Sequence, residues 1–102
     1  MIKHIVMWKL AGNAEGRTKS ENAAAMKTML EALPGKIKEL QSAEVGINIA
    51  LPNSEAVCDV VLTTTCATPD DLKAYAGHPE HQKVVQFISK VAEERRVVDY
   101  EL

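Results

Sequence analysis

Residues 2–10 alternate, with Ile2, His4, Val6, Trp8 and Leu10 pointing one way and Lys3, Ile5, Met7 and Lys9 the other. That is the period of a β-strand carrying apolar side chains on both faces. Ala11 to Gly16 is turn-like. From about Arg17 to Leu33 the apolar positions Ala23, Met26, Leu30 and Leu33 return at helical spacing, with Met29 beside them, among good helix formers. Pro34-Gly35 ends that helix, and Ile37 to Leu40 reads as a short extra turn. Alternation resumes over Ser42–Leu51, placing Val45, Ile47, Ile49 and Leu51 on one face. Pro52-Asn53-Ser54 is a turn, and Ala56–Cys66, rich in Val and Thr without Gly or Pro, completes an antiparallel hairpin. Thr68-Pro69-Asp70-Asp71 starts a helix: a capping hydroxyl, Pro in the first turn, then carboxylates at the positive end of the dipole. It stops at Gly77, and a second helix opens at Pro79 after His78. Val84, Val85, Phe87, Ile88 and Val91 form the buried side of that helix, the run Glu93-Glu94-Arg95-Arg96 reads as a solvated helix end, and Arg96–Leu102 is the last strand.

The order β-α-β-β-α-β predicts an α+β fold over one domain, residues 1–102. It is the ferredoxin-like arrangement, a four-stranded antiparallel sheet in spatial order 4-1-3-2 with helices on one face. The uncovered face is also apolar: Ile5 and Met7 on the first strand, Val57 and Val61 on the third, opposite Val60 and Leu62. A contiguous apolar face marks an interaction surface, and a second copy packed against it about a two-fold axis would bury it. The expected partner is therefore the same chain, through the open sheet face.

With 102 residues the chain buries only a small core, so a partner subunit would add stability. Composition (46% apolar, 25% charged) is that of a folded protein. A net charge of −2 offers nothing to nucleic acid or anionic lipid. The N-terminal segment reads as a strand and not as a signal peptide, and no apolar run reaches membrane-span length. A cytoplasmic protein is expected. Cys58 and Cys66, both placed on the third strand, would lie roughly 26 Å apart, beyond disulfide reach, and read as small core thiols.

The predicted topology gathers His4, Asp99, Tyr75, His78 and His81 at one end of the sheet–helix layer. Val6, Trp8, Val60, Leu62, Met26 and Leu30 form an apolar wall beside them. An apolar cleft with a few convergent polar groups is the shape of a small-molecule site. A histidine held by a carboxylate keeps one tautomer, and a tyrosine hydroxyl donates to a developing oxyanion. Those parts suit proton abstraction next to a carbonyl, as in an aldol-type cyclisation. The same residues also suit a structural role, with His78 bonding in a turn, His81 on a helix surface and Tyr75 anchoring a short helix. His78 and His81 stand at i, i+3, but without HExxH, CxxC or a carboxylate cluster no metal site is expected. No motif calls for a nucleotide cofactor, and no cofactor is expected.

Ile2-Lys3-His4-Ile5-Val6-Met7-Trp8-Lys9-Leu10, Glu44-Val45-Gly46-Ile47-Asn48 and Asp59-Val60-Val61-Leu62 resemble the stress-responsive A/B barrel (Dabb) family. So do Leu72-Lys73-Ala74-Tyr75-Ala76-Gly77-His78-Pro79-Glu80-His81 and Val97-Val98-Asp99-Tyr100, and the Tyr-x-x-His-Pro-x-His element is specific in combination. The resemblance implies a dimeric α+β barrel. A few members look like polyketide cyclases that use a tyrosine and a histidine. Those roles would fall on Tyr75 and His81, with His4 and Asp99 as pocket neighbours. Ala23-Ala24-Ala25 departs from that pattern, since it gives the first helix little bulk to shape a pocket for an aromatic polyketide.

Overall fold

The computed structural model describes residues 1–102. Four strands form the main sheet: β1 (Ile2–Leu10), β4 (Ser42–Ile47), β5 (Val60–Cys66) and β6 (Ala92–Glu101), in the order β4-β5-β1-β6, all antiparallel. Helices α1 (Lys19–Glu31), α2 (Pro69–Gly77) and α3 (Pro79–Val91) accompany it. The fold is thus α+β and ferredoxin-like, with the predicted strand order. No helix is long and apolar enough to cross a membrane.

Strand alternation sorts the sheet into two faces. Val6, Trp8 and Leu10 of β1 and Val60, Leu62 and Cys66 of β5 are buried against Met26 and Leu30 of α1 and Val84, Ile88 and Val91 of α3. On the opposite face stand Ile5, Met7, Val61, Val98 and Tyr100, and Met7, Val98 and Tyr100 are 41%, 52% and 40% exposed. Charge protects the outer strand β4. Lys27 Nζ donates to Val45 O at 2.8 Å, and Glu31 Oε2 accepts from Val45 N at 3.0 Å, so α1 satisfies backbone groups that an edge leaves open.

Several boundaries differ from expectation. The Ala11–Gly16 turn contains a minute ribbon, β2 (Asn13–Ala14) with β3 (Arg17–Thr18), closed by Glu15 and Gly16 at φ 53° and 74°. Two left-handed residues match the twist of a tight hairpin. The helix then begins at Lys19 because Thr18 caps it, its hydroxyl accepting from Glu21 N and Glu21 returning a bond to Thr18 N. A 3₁₀ turn spans Leu33–Gly35, and the expected turn over 37–40 follows it, closed by Leu40 N donating to Ile37 O at 3.1 Å.

The hairpin strands are shorter than their alternation suggests, and residues 48–59 form a loop. Asn48 diverts the chain: its side chain donates to Cys58 O and accepts from Ala50 N, which turns left-handed at φ 54°. Asp59 closes the loop onto β1, its N donating to Trp8 O at 2.7 Å and its carboxylate accepting from Leu10 N at 2.8 Å. Val57 and Cys58 therefore lie on this loop and not on a strand, and Val57 is 62% exposed. Both cysteines are free thiols, with Cys66 buried. The last strand starts at Ala92, four residues early, so Glu93-Glu94-Arg95-Arg96 belongs to the outer strand rather than to a helix end. Val85 is exposed and Phe87 only half-buried.

Candidate functional site

The helix-facing side of β1 supplies His4, Val6 and Trp8 to a cavity of about 230 Å³. Leu62 of β5 and Leu30 of α1 close its floor, Tyr75 enters from α2, His81, Val84 and Ile88 from α3, and Arg95 from β6. Antiparallel register places Asp99 directly across from His4. The His4 Nδ1–H donates to the Asp99 carboxylate, and His4 is the more buried of the two. This bond fixes the tautomer and leaves His4 Nε2 as the ring's acceptor.

Two chain breaks position the remaining ring systems. Thr68 caps α2 by accepting from Asp71 N at 3.1 Å. His78 then ends α2 in extended backbone and caps α3, its Nδ1 accepting from Glu80 N at 3.1 Å. The bend carries His81 back beside Tyr75, with ring centroids 4.5 Å apart at 51°. His4 approaches Tyr75 edge-on at 6.1 Å. The Nδ1–H of His81 donates to Ala76 O at 2.9 Å, so Nε2 is the free basic nitrogen of the neutral ring.

Burial dominates the electrostatics. Tyr75 is 1% exposed, its Oη has no hydrogen-bond partner, and desolvation pushes the phenol up to about 12. Arg95 opposes that rise. Desolvation likewise holds His81 below its ordinary value, and the charges of His4, Arg95 and His78 act in the same direction against the Ala76 carbonyl. At neutral pH a protonated phenol therefore lies beside an unprotonated imidazole in the cavity lining, one donor and one acceptor.

The Stress responsive A/B Barrel Domain profile matches residues 2–102. The chain belongs to that family. This A/B barrel domain is similar in structure to a dimeric protein of unknown function with a ferredoxin-like fold from Bacteroides fragilis NCTC 9343. The two share 34% identity and a TM-score of 0.81, over 99% of this chain and 95% of that one. A dimeric ferredoxin-like protein of unknown function from Thermobifida fusca shares 24% identity, with a TM-score of 0.80 over 99% and 90%. At 13% identity a hydroxynitrile lyase from Passiflora edulis shares the fold, with a TM-score of 0.78 over 99% and 92%. No curated protein matches the sequence.

Within this A/B barrel domain, His4, Tyr75 and His81 converge, and Val6, Trp8 and Leu62 line the same cavity. Asp99 stands behind His4, bonded to it and off the cavity wall. Two more expected pocket residues lie elsewhere. Met26 is fully buried in the core between α1 and the sheet, and His78 is committed to the α2–α3 bend. Val60, expected in the apolar wall, is buried but does not line the cavity. The sequence reading missed Arg95, because residues 93–96 had the look of a solvated helix end. Its strand register opposite Trp8 was the signal that would have found it.

Proposed function

We propose that this domain binds a small carbonyl compound in the His4–Tyr75–His81 cavity and removes a proton next to the carbonyl, acting as a homodimer joined through its open sheet face. The carrying observation is that Tyr75, whose buried hydroxyl has no partner, and the unprotonated His81 stand ring beside ring in the lining of an apolar cavity. A buried donor without a partner is costly unless a ligand supplies the acceptor. A carbonyl oxygen is such an acceptor. His81 Nε2 takes the proton from the adjacent carbon, the C–H electron pair shifts onto the carbonyl oxygen, and the Tyr75 O–H stabilises the enolate. If a second carbonyl lies within reach in the same molecule, the enolate carbon attacks it and the proton returns from His81 to the new alkoxide. That is the aldol-type ring closure of polyketide cyclases. His78 has a structural share instead, since its ring is spent on the α3 cap.

Two observations support the dimer. The family relatives described as dimeric share the fold, and Ile5, Met7, Val61, Val98 and Tyr100 form a face that no helix covers. A cavity of about 230 Å³ lies below the ~300–1,000 Å³ of drug-sized sites and favours a compact substrate.

The test is solvent deuterium wash-in at the α-carbons of a 2-alkanone series, followed by proton NMR. Wild type should accelerate exchange. Tyr75→Phe should slow it by about 10²–10³-fold, as loss of one oxyanion donor does, and His81→Ala should abolish it. The rate should fall on the acid side with a midpoint below the ordinary histidine value of 6.5. Exchange unaltered in both variants would overturn the assignment.

A further inference from the structure

The cavity lining carries two carboxylates and one guanidinium, and they differ in whether they are paired. Beside the apolar walls stand Glu93, Glu94 and Arg95, all on β6. Each glutamate has a cation of its own: Glu93 faces Lys9 Nζ at 3.8 Å, and Glu94 faces Arg96 at 3.7 Å. The bulge between Lys9 and Leu10 shifts this part of β6 relative to β1. The Arg95 side chain takes part in no ion pair and in no hydrogen bond within the chain; only its backbone carbonyl accepts, from Arg96 Nη1 at 3.1 Å. It sits across from Trp8, on the same side of β6 as Val97 and Asp99, and so shares the helix-facing layer with the cavity.

We propose that Arg95 is the specificity-determining residue of this cavity and that it pairs with a carboxylate on the ligand, so the preferred ligands are small oxo acids. The proposal rests on the cavity being the ligand site described above. The guanidinium presents a planar fork of donors that carboxylates match in a bidentate pair. The arrangement gives the ligand two ends. Its anionic end meets Arg95 at the β6 edge, where the side chain is exposed and the ligand can enter. Its carbonyl then reaches the Tyr75–His81 end of the same cavity. The influence of Arg95 on both Tyr75 and His81 agrees with one continuous electrostatic compartment. A surface arginine on an outer strand has a bland use too, discouraging edge-to-edge pairing. That use predicts no ligand selectivity.

The experiment uses the full chain and reads binding, independently of turnover. Trp8 is the sole tryptophan and lines the cavity, so its fluorescence reports occupancy. The probes are octanoates with the ketone at C4, C5 or C6, each as the carboxylate and as its methyl ester. Wild type should bind at least one acid about ten-fold or more tightly than its ester, a difference of about 1.4 kcal/mol. Arg95→Gln should erase that preference while leaving ester affinity in place, and Arg95→Lys should retain part of it, with folding checked by circular dichroism. Equal binding of acid and ester to wild type would overturn the role of Arg95 while leaving the cavity a carbonyl site. Equal weakening of both probes in Arg95→Gln would do the same, marking a packing role. Binding of no probe at all would overturn both readings.

Discussion

Tyr75 shows how one residue carries opposite demands. Its ring fills the space where α2 meets the sheet, while its hydroxyl, with no acceptor in reach, costs free energy that packing must offset. The phenol's rise from 10.0 to about 12 makes this measurable. A pKa raised by folding contributes stability fully present below the unfolded value and lost as pH rises through the folded one. Between pH 10 and pH 12 wild type should therefore lose about 2 kcal/mol that Tyr75→Phe does not lose. Urea titrations of both proteins at pH 9 and near pH 12 would check this, and parallel losses would contradict it. The nearness of His4 to Asp99 was legible in the sequence, because in the predicted topology the antiparallel last strand ends where the first begins. Arg95 was not. Four consecutive charges carry no periodicity, and only pairing with β1 decides which of them face inward.

Among the elements, the α2–α3 bend does most to assemble the site, and one side chain holds it. His78 occupies the position where Ser, Thr or Asp usually caps, and it uses a ring nitrogen for the same bond to Glu80 N. His78→Ala should cost about 1 kcal/mol of stability and loosen His81 against Tyr75, and His78→Ser should restore most of the loss. Thermal melts of the three proteins would measure both effects; a fully stable alanine variant would mean that Pro79 alone sets the bend. Helix starts were readable because caps are local, as Thr68 and the Pro79 break show. Strand ends were not. Ile49, Leu51 and Val57 keep the alternation of a hairpin, but the Asn48 and Asp59 bonds remove them from the ladder, and those bonds reach across the fold.

At the scale of the whole molecule the sheet separates two tasks. Its helix-facing side holds the cavity and its open side the surface proposed for pairing. Val98→Asp or Met7→Asp on the open side should shift sedimentation from dimer to monomer, because a carboxylate on each copy would be buried against its twin. The cavity residues would keep their places. An unchanged dimer in both variants would locate the interface elsewhere. Strand β1 divides those tasks between alternate residues, His4, Val6 and Trp8 against Ile5 and Met7. Along this stretch a substitution touches one face at a time, whereas a change of length touches both. Gain or loss of a single codon here would exchange the two sets, turning the imidazole outward and the methionine toward Tyr75, and so would erase both tasks in one step.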